Sequence, residues 1–333
     1  MMLPERLKTG DTIAFYSPSA PATCSAPRRF ERAVGFLENK GFRLLGGSLT
    51  GKSDFYRSGT IKARADELNA LIRNPEVRCI MSVIGGGNSN AIVPFIDYKA
   101  FEKNPKIMVG YSDITPILLA IYSQTGIGTF YGPALVSSFG EFPPFSDLTF
   151  EYFSDILIRK QPLPYSYPLP RYWTDEMINW EDKVRDKEQR ANRLITVTSG
   201  IAEGRVIGGN LNSMSGIWGS VYMPEIKSGD ILFLEDTSKT ASMTEKLFSL
   251  LKANRVFEKI SGILLGKHER FDDQRTGRSP ADILKEVIGE TEIPILADFD
   301  CCHTHPMLTL PLGLRIRLDA TNQQVSILEP YIK

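Results

Sequence analysis

Three histidines, His268, His303 and His305, are all that the 333-residue chain holds, so chemistry needing an imidazole base has few places to find one. Two of them lie in Asp300-Cys301-Cys302-His303-Thr304-His305-Pro306, between Ile295-Leu296-Ala297 and the apolar stretch Met307 to Leu312. Histidines at i and i+2 raise the question of metal ligation, but no H-E-x-x-H pattern or Cys/His set accompanies them. Cys302 acting as a nucleophile with His303 is disfavoured, because neighbours in an extended segment face opposite ways. The sharpest nucleophile candidate is Ser112 in Val109-Gly110-Tyr111-Ser112-Asp113-Ile114-Thr115, between a strand-like and a helix-like segment. Such a turn exposes the hydroxyl and aims the first helical N–H groups at it. The competing reading is a simple helix N-cap, since Ile114 stands where G-x-S-x-G requires its second glycine.

Two further motifs carry chemistry in more than one way. Gly85-Gly86-Gly87-Asn88-Ser89-Asn90 follows an apolar run and would let backbone N–H groups approach a phosphate or an oxyanion, or would serve only as a tight turn. It lacks the third glycine of G-x-G-x-x-G and the Gly-Lys-Ser/Thr of a P-loop. Phe233-Leu234-Glu235-Asp236-Thr237 ends an apolar strand in two carboxylates, a pattern equally common in solvated loops and helix caps.

The elements that would position these groups alternate. Thr12 to Tyr16, Phe42 to Leu45, Cys79 to Ile84 and Ile107 to Val109 read as strands, while Arg28 to Lys40, Ile61 to Arg73 and Pro116 to Gln124 read as helices. This alternation predicts a parallel sheet covered on both faces. From about Pro143 to Asn192 the pattern dissolves into prolines and aromatics, with a charged helix-like stretch from Glu181 to Arg193. The second half restarts with strands at Leu194 to Val197, Ile201 to Ile207, Ile231 to Glu235, Ile260 to Leu265 and Leu314 to Leu318, and one helix at Thr244 to Asn254. The expected architecture is an N-terminal α/β domain over 1–160, an aromatic-rich linker or lid over 161–193, and a smaller β-rich α/β domain over 194–333.

Composition narrows the partners. Thirty-nine basic and 39 acidic residues cancel, which leaves no global pull towards nucleic acid or an anionic membrane. The amino end lacks the apolar core of a secretory signal, and the longest apolar stretch, Ile114 to Tyr122, falls short of the ~20 residues of a membrane span. Cys24, Cys79, Cys301 and Cys302 show no CxxC spacing. A cytoplasmic protein is expected.

Taken together, Gly110-Tyr111-Ser112-Asp113, Gly204-Arg205-Val206-Ile207-Gly208-Gly209-Asn210-Leu211, Leu232-Phe233-Leu234-Glu235-Asp236 and His303-x-x-Pro306 before Leu308-Thr309-Leu310-Pro311 resemble the LD-carboxypeptidase family of serine peptidases, most closely its branch of microcin C immunity proteins. The resemblance implies that Ser112 is the nucleophile, Glu235 the acid and His303, rather than His305, the base. It implies that the N–H groups of Gly86 and Asp113 form the oxyanion hole, with Gly87-Asn88 a departure where many relatives carry a bulkier residue. It also implies substrate contacts at Trp180, stacked on adenine, and at Asn210, Lys239, Glu269 and Asp273. The branch cleaves the amide between a peptidyl or aminoacyl group and a modified adenylate, whereas other members trim murein tetrapeptides. No metal or organic cofactor is implied, and a homodimer acting on a small peptidyl- or aminoacyl-nucleotide is expected. A non-catalytic nucleotide-binding protein, with the glycine turn as phosphate cradle, is the rival of another class.

Overall fold

The computed structural model describes residues 2–333. In the first half, β1 (Thr12–Tyr16), β2 (Arg43–Gly46), β3 (Val77–Ser82), β4 (Ile107–Gly110) and β5 (Thr129–Tyr131) alternate with helices. Then come three short strands, β6 (Tyr165–Ser166), β7 (Tyr172–Trp173) and β8 (Arg190–Ala191), followed by β9 (Ile195–Thr198) and the long β10 (Ile201–Asn210). β11 (Ile231–Glu235), β12 (Gly262–Gly266), β13 (Ile295–Phe299), β14 (Leu310–Leu312), β15 (Arg315–Asp319) and β16 (Gln324–Ile327) complete the set.

These strands build two sheets. The first has the order β14-β5-β4-β3-β1-β2 and is parallel except for the antiparallel edge strand β14. β1, β3 and β4 are almost wholly buried and apolar, as strands covered on both faces must be. The second has the order β6-β16-β15-β10-β11-β12-β13-β9, with a parallel centre from β10 to β13 and antiparallel flanks. Each sheet borrows from across the sequence: β14 returns to the first, and β6 joins the second. The helix Thr115–Thr125 packs against β10, and its buried face, continuous from Thr115 to Tyr122, forms part of one core spanning both sheets. It ends at Gly126, whose φ of 69° closes the helix in the left-handed region.

Two expectations for the middle of the chain are corrected. The stretch 143–192 is not uniformly irregular, because Phe145–Leu157 is a helix burying Phe145, Thr149, Phe153, Ile156 and Leu157 at helical spacing. Conversely, Glu181 to Arg193 forms no helix: only Arg190–Ala191 is regular, as a strand paired with β7. The reason is its lack of an apolar face. Val184 is 68% exposed, and the charged side chains reach outward instead, Arg185 to Glu176, Lys187 to Glu141 and Arg190 to Asp175.

The pairing of β10 with β11 sets Asn210 beside Glu235 and Gly208 beside Phe233. Gly208 has φ 142°, and a Cβ there would sit 1.8 Å from the Phe233 carbonyl oxygen. Gly208→Ala should therefore destabilise the fold by about 3 kcal/mol, read as a lowered denaturant midpoint. Gly35, inside the helix Pro27–Asn39 with nothing within 4 Å, provides the contrast. Gly35→Ala should raise stability by about 0.5–1 kcal/mol.

Candidate active site

The carboxyl ends of the two parallel sheet centres meet at a cleft of about 250 Å³ lined by Gly85, Gly86, Tyr111, Ser112, Ser137, Glu141, Trp180, Lys187, Glu269, His303 and His305, among others. Ser112 is separated from β4 by Tyr111 alone and takes φ 63°, left-handed backbone that a non-glycine residue adopts at a cost of ~1–3 kcal/mol. It opens a single 3₁₀ turn, Ser112–Ile114, and the helix Thr115–Thr125 follows. Three contacts hold the turn. The Ser112 N–H donates to the Tyr131 hydroxyl at 2.9 Å, the Ser112 carbonyl accepts from Thr115 Oγ1 at 2.7 Å, and Gly85 leaves room for the serine, since a Cβ there would lie 2.9 Å from Ser112 Oγ.

Asp113 joins the serine turn to the glycine turn. Its side chain, almost fully buried, accepts from the N–H groups of Asn88 at 2.7 Å and Ser89 at 3.0 Å, and its carbonyl accepts from the Ser89 hydroxyl. Burial pushes the Asp113 carboxyl up, against these hydrogen bonds. Gly86 adopts φ 151°, and a Cβ would collide with Ser19 Oγ at 2.2 Å. Only a glycine fits that approach. Gly85, Gly86 and Ser112 thus share one wall, with the start of a helical turn beside the hydroxyl.

From the second sheet, β11 delivers Glu235 to its carboxyl end, fully buried. Its Oε2 meets His303 Nδ1 at 2.6 Å, while Oε1 accepts from the Tyr131 hydroxyl at 2.5 Å and from Asn210 Nδ2 at 3.0 Å. Burial alone would push this carboxyl up, but His303 and the two donors hold it below the usual range. The pairing acts oppositely on His303: burial lowers its affinity for a proton, and Glu235 overcomes that and raises it. The imidazole stands edge-on to Tyr111, ring centroids 4.9 Å apart, and its Nε2 has no hydrogen-bond partner among the described residues. A hydroxyl on a strained turn and an imidazole oriented by a buried carboxylate, in one cleft, suit nucleophilic acyl transfer.

The other expected residues divide. Trp180 and Glu269 line the cleft. Arg29 lies 4.3 Å over the Trp180 ring, and Thr237 donates to Glu269 Oε2. Asn210, Lys239 and Asp273 are not part of its lining. Asn210 is buried behind the acid, bonding Glu235 and Asp236. Lys239 reaches Asp236 at 3.6 Å, and Asp273 closes its own turn onto Arg275 and Gly277. His305 faces away from Glu235, with Nε2 3.7 Å from Glu141, and burial holds its pKa down at about 3. Cys302 is buried with its thiol pushed up to about 12, unfit as a nucleophile. Sequence reasoning missed Tyr131, because a tyrosine in an apolar strand carries no signal beyond core packing.

Comparison with known proteins gives the family and the fold. Residues 13–132 match the LD-carboxypeptidase N-terminal domain and residues 203–318 its C-terminal domain. The chain is 56% identical to the microcin C7 self-immunity protein MccF of Escherichia coli, over 99% of this chain and 97% of that one. It is 53% identical to a putative carboxypeptidase of Vibrio cholerae, over 100% and 99%. A solved structure of MccF in complex with aspartyl sulfamoyl adenosine superposes with a TM-score of 0.98 at 56% identity, covering 100% of both chains. MccF has also been solved with glutamyl sulfamoyl guanosine, and as a Trp→Phe variant with adenosine monophosphate.

Among the described residues, Tyr131 is the one side chain bonded both to the Ser112 backbone and to Glu235. Tyr131→Phe should preserve the fold, yet slow labelling of Ser112 by a fluorophosphonate about 10- to 100-fold, since small misplacements of reacting groups carry such penalties. Labelling at the wild-type rate would show that the hydroxyl does not position the serine.

Proposed function

The chain belongs to the LD-carboxypeptidase family of serine peptidases, and on that premise we propose that it hydrolyses the amide linking an aminoacyl or peptidyl group to a modified adenylate, through a Ser112-His303-Glu235 triad. The observation that carries the reading is the 2.6 Å contact from Glu235 to His303 Nδ1, which leaves Nε2 free in the cleft that Ser112 also lines. Likeness to MccF, solved with aminoacyl sulfamoyl nucleosides, supports the substrate class.

In this mechanism His303 Nε2 takes the Ser112 proton as Oγ attacks the scissile carbonyl. The oxyanion accepts from the Gly86 and Asp113 N–H groups. His303 then passes the proton to the leaving nitrogen as the C–N bond breaks. Water, activated by the same imidazole, cleaves the acyl-serine ester and regenerates the hydroxyl. Glu235 keeps the Nδ1–H tautomer and stabilises the transient imidazolium.

Ser112→Ala should abolish release of the sulfamoyl nucleoside, followed chromatographically, while binding persists. His303→Ala should do nearly the same damage and His305→Ala much less; the reverse ranking would overturn the triad. Because His303 must be neutral to accept a proton and its pKa is raised, kcat/KM should fall on acidification through a value above the ordinary ~6.5. Glu235→Gln removes the raising charge, so residual activity should persist to lower pH. An unmoved acid limb in this variant would mean that another group controls it.

Trp180 is proposed as the platform for the base. A flat apolar face accepts adenine and guanine alike, in keeping with the adenosine and guanosine ligands of MccF. Trp180→Ala should raise KM for an aminoacyl sulfamoyl adenosine roughly 5- to 150-fold, with partial recovery in Trp180→Phe. A small peptide substrate without a base should be affected little. Equal losses on both substrates would favour a murein-type carboxypeptidase.

A further inference from the structure

Arg64 is a buried cation held by neutral groups. It is the fourth residue of the helix Ile61–Arg73 and is 1% exposed. Its Nε donates to the Gly59 carbonyl at 3.1 Å, and Nη1 donates to the carbonyls of Pro18 at 2.5 Å and Asn88 at 3.2 Å, and to Asn88 Oδ1. Among the described residues it forms no ion pair. A buried charge without a paired counterion is costly, and the start of a helix is a poor place for a cation, since the positive end of the dipole lies there. Two carboxylates come close enough to act on Arg64. Asp54 is taken by Arg57 at 2.8 Å, whereas Asp113 has no cation of its own among the described residues.

Asn88 stands between these two buried charges. Its carbonyl and Oδ1 accept from Arg64, and its N–H donates to Asp113 Oδ2 at 2.7 Å. The N–H of Ser89 goes to the same carboxylate oxygen at 3.0 Å, and that of Gly87 goes to Ser19 Oγ at 3.1 Å. The N–H groups from Gly87 to Ser89 are therefore all taken, and the turn that carries Gly86 is gripped on both sides. Pro18, the other residue on Nη1, precedes Ser19, and the Ser19 carbonyl accepts from the Ser58 N–H at 2.9 Å. One guanidinium thus fastens three segments: the loop after β1, the residues before its own helix, and the glycine turn. A planar fork of donors can serve three segments at once, which a single ammonium cannot.

We propose that Arg64 is a positioning residue for the reaction, holding the glycine turn and Asp113 through Asn88 so that the Gly86 and Asp113 N–H groups converge on the oxyanion. The inference rests on the serine-hydrolase reading given above and adds what keeps the two halves of the oxyanion hole together. Neither Arg64 nor Asn88 lines the cleft, so the loss of either should spare binding and act on turnover.

The test is the rate at which a fluorophosphonate labels Ser112, because the phosphonyl oxygen occupies the same hole whatever the natural substrate. Arg64→Lys should slow labelling about 10- to 100-fold and Asn88→Ala about 3- to 10-fold, as displaced donors do. Labelling should still reach completion in both, which separates a slower serine from a smaller folded fraction. Arg57→Ala removes the neighbouring charge but none of these bonds, and should label at the wild-type rate. On aspartyl sulfamoyl adenosine, Arg64→Lys and Asn88→Ala should lose kcat while KM stays within about twofold of wild type. Wild-type labelling in Asn88→Ala would overturn the inference, even where Arg64→Lys fails to fold. So would a loss that falls on KM, or an Arg57→Ala variant as slow as Arg64→Lys. Failure of the wild type itself to label would instead overturn the serine-hydrolase reading, and the positioning role with it.

Discussion

A carboxylate with no exposure to water organises the centre of this molecule. Glu235 must find partners within the protein, because an unpaired buried charge would cost more than the fold can sustain. It finds three, and they come from separate parts of the chain: Tyr131 from the first sheet, Asn210 from the neighbouring strand of the second, and His303 from the segment after β13. Satisfying one side chain therefore brings both sheets and the late loop into register. The same demand polarises the imidazole, since the lone pair left to His303 is the one on Nε2 when Nδ1–H faces the acid.

The serine turn is the complementary constraint. A residue held at φ 63° relaxes unless its surroundings over-determine it, and here they do. Tyr131 holds its N–H, Thr115 its carbonyl, and the absence of a side chain at Gly85 allows the close approach of the glycine turn. Thr115 Oγ1 also accepts the Asn210 N–H at 3.0 Å, so the turn that carries Ser112 is tied to the strand that ends beside Glu235. Strain at the hydroxyl and order at the acid are thus held by the same few bonds.

Electrostatics divides the cleft. On one side Glu235 and Glu269 surround the imidazole with negative potential, and both raise its affinity for a proton. On the other, Arg29 and Lys187 outweigh Glu141. The linker supplies Lys187 and Trp180, and backbone pairing of Thr174 with His305 fastens it beside the site. Its first part is anchored by β6 and by Tyr165 and Tyr167 on the core, and its later part by ion pairs and by Arg29 and Arg32, which reach the Trp180 ring and carbonyl.

How much of this is legible without coordinates depends on how local each cause is. The alternation of apolar strands with amphipathic helices predicts the parallel first sheet, because period and burial are local properties. The setting of Ser112 between strand and helix, and the glycine turn after an apolar run, can be read in the same way. The missed helix at Phe145–Leu157 was also local: its spacing was present, but the prolines and aromatics after it masked the pattern. Glu181 to Arg193 misleads in the other direction, since helical composition without an apolar face leaves the charges to their distant partners. By itself, then, the sequence determined the sheet type and the motifs that could hold a nucleophile, an acid and a base. Only the tertiary structure decided that β14 closes the first sheet, that Tyr131 joins Ser112 to Glu235, and that Arg29 and Lys187 share Glu141. Those outcomes depend on contacts between residues well separated in the sequence, such as 104 positions for Tyr131 and Glu235 and 112 for Arg29 and Glu141, in which burial fixes the partners and no local pattern records them.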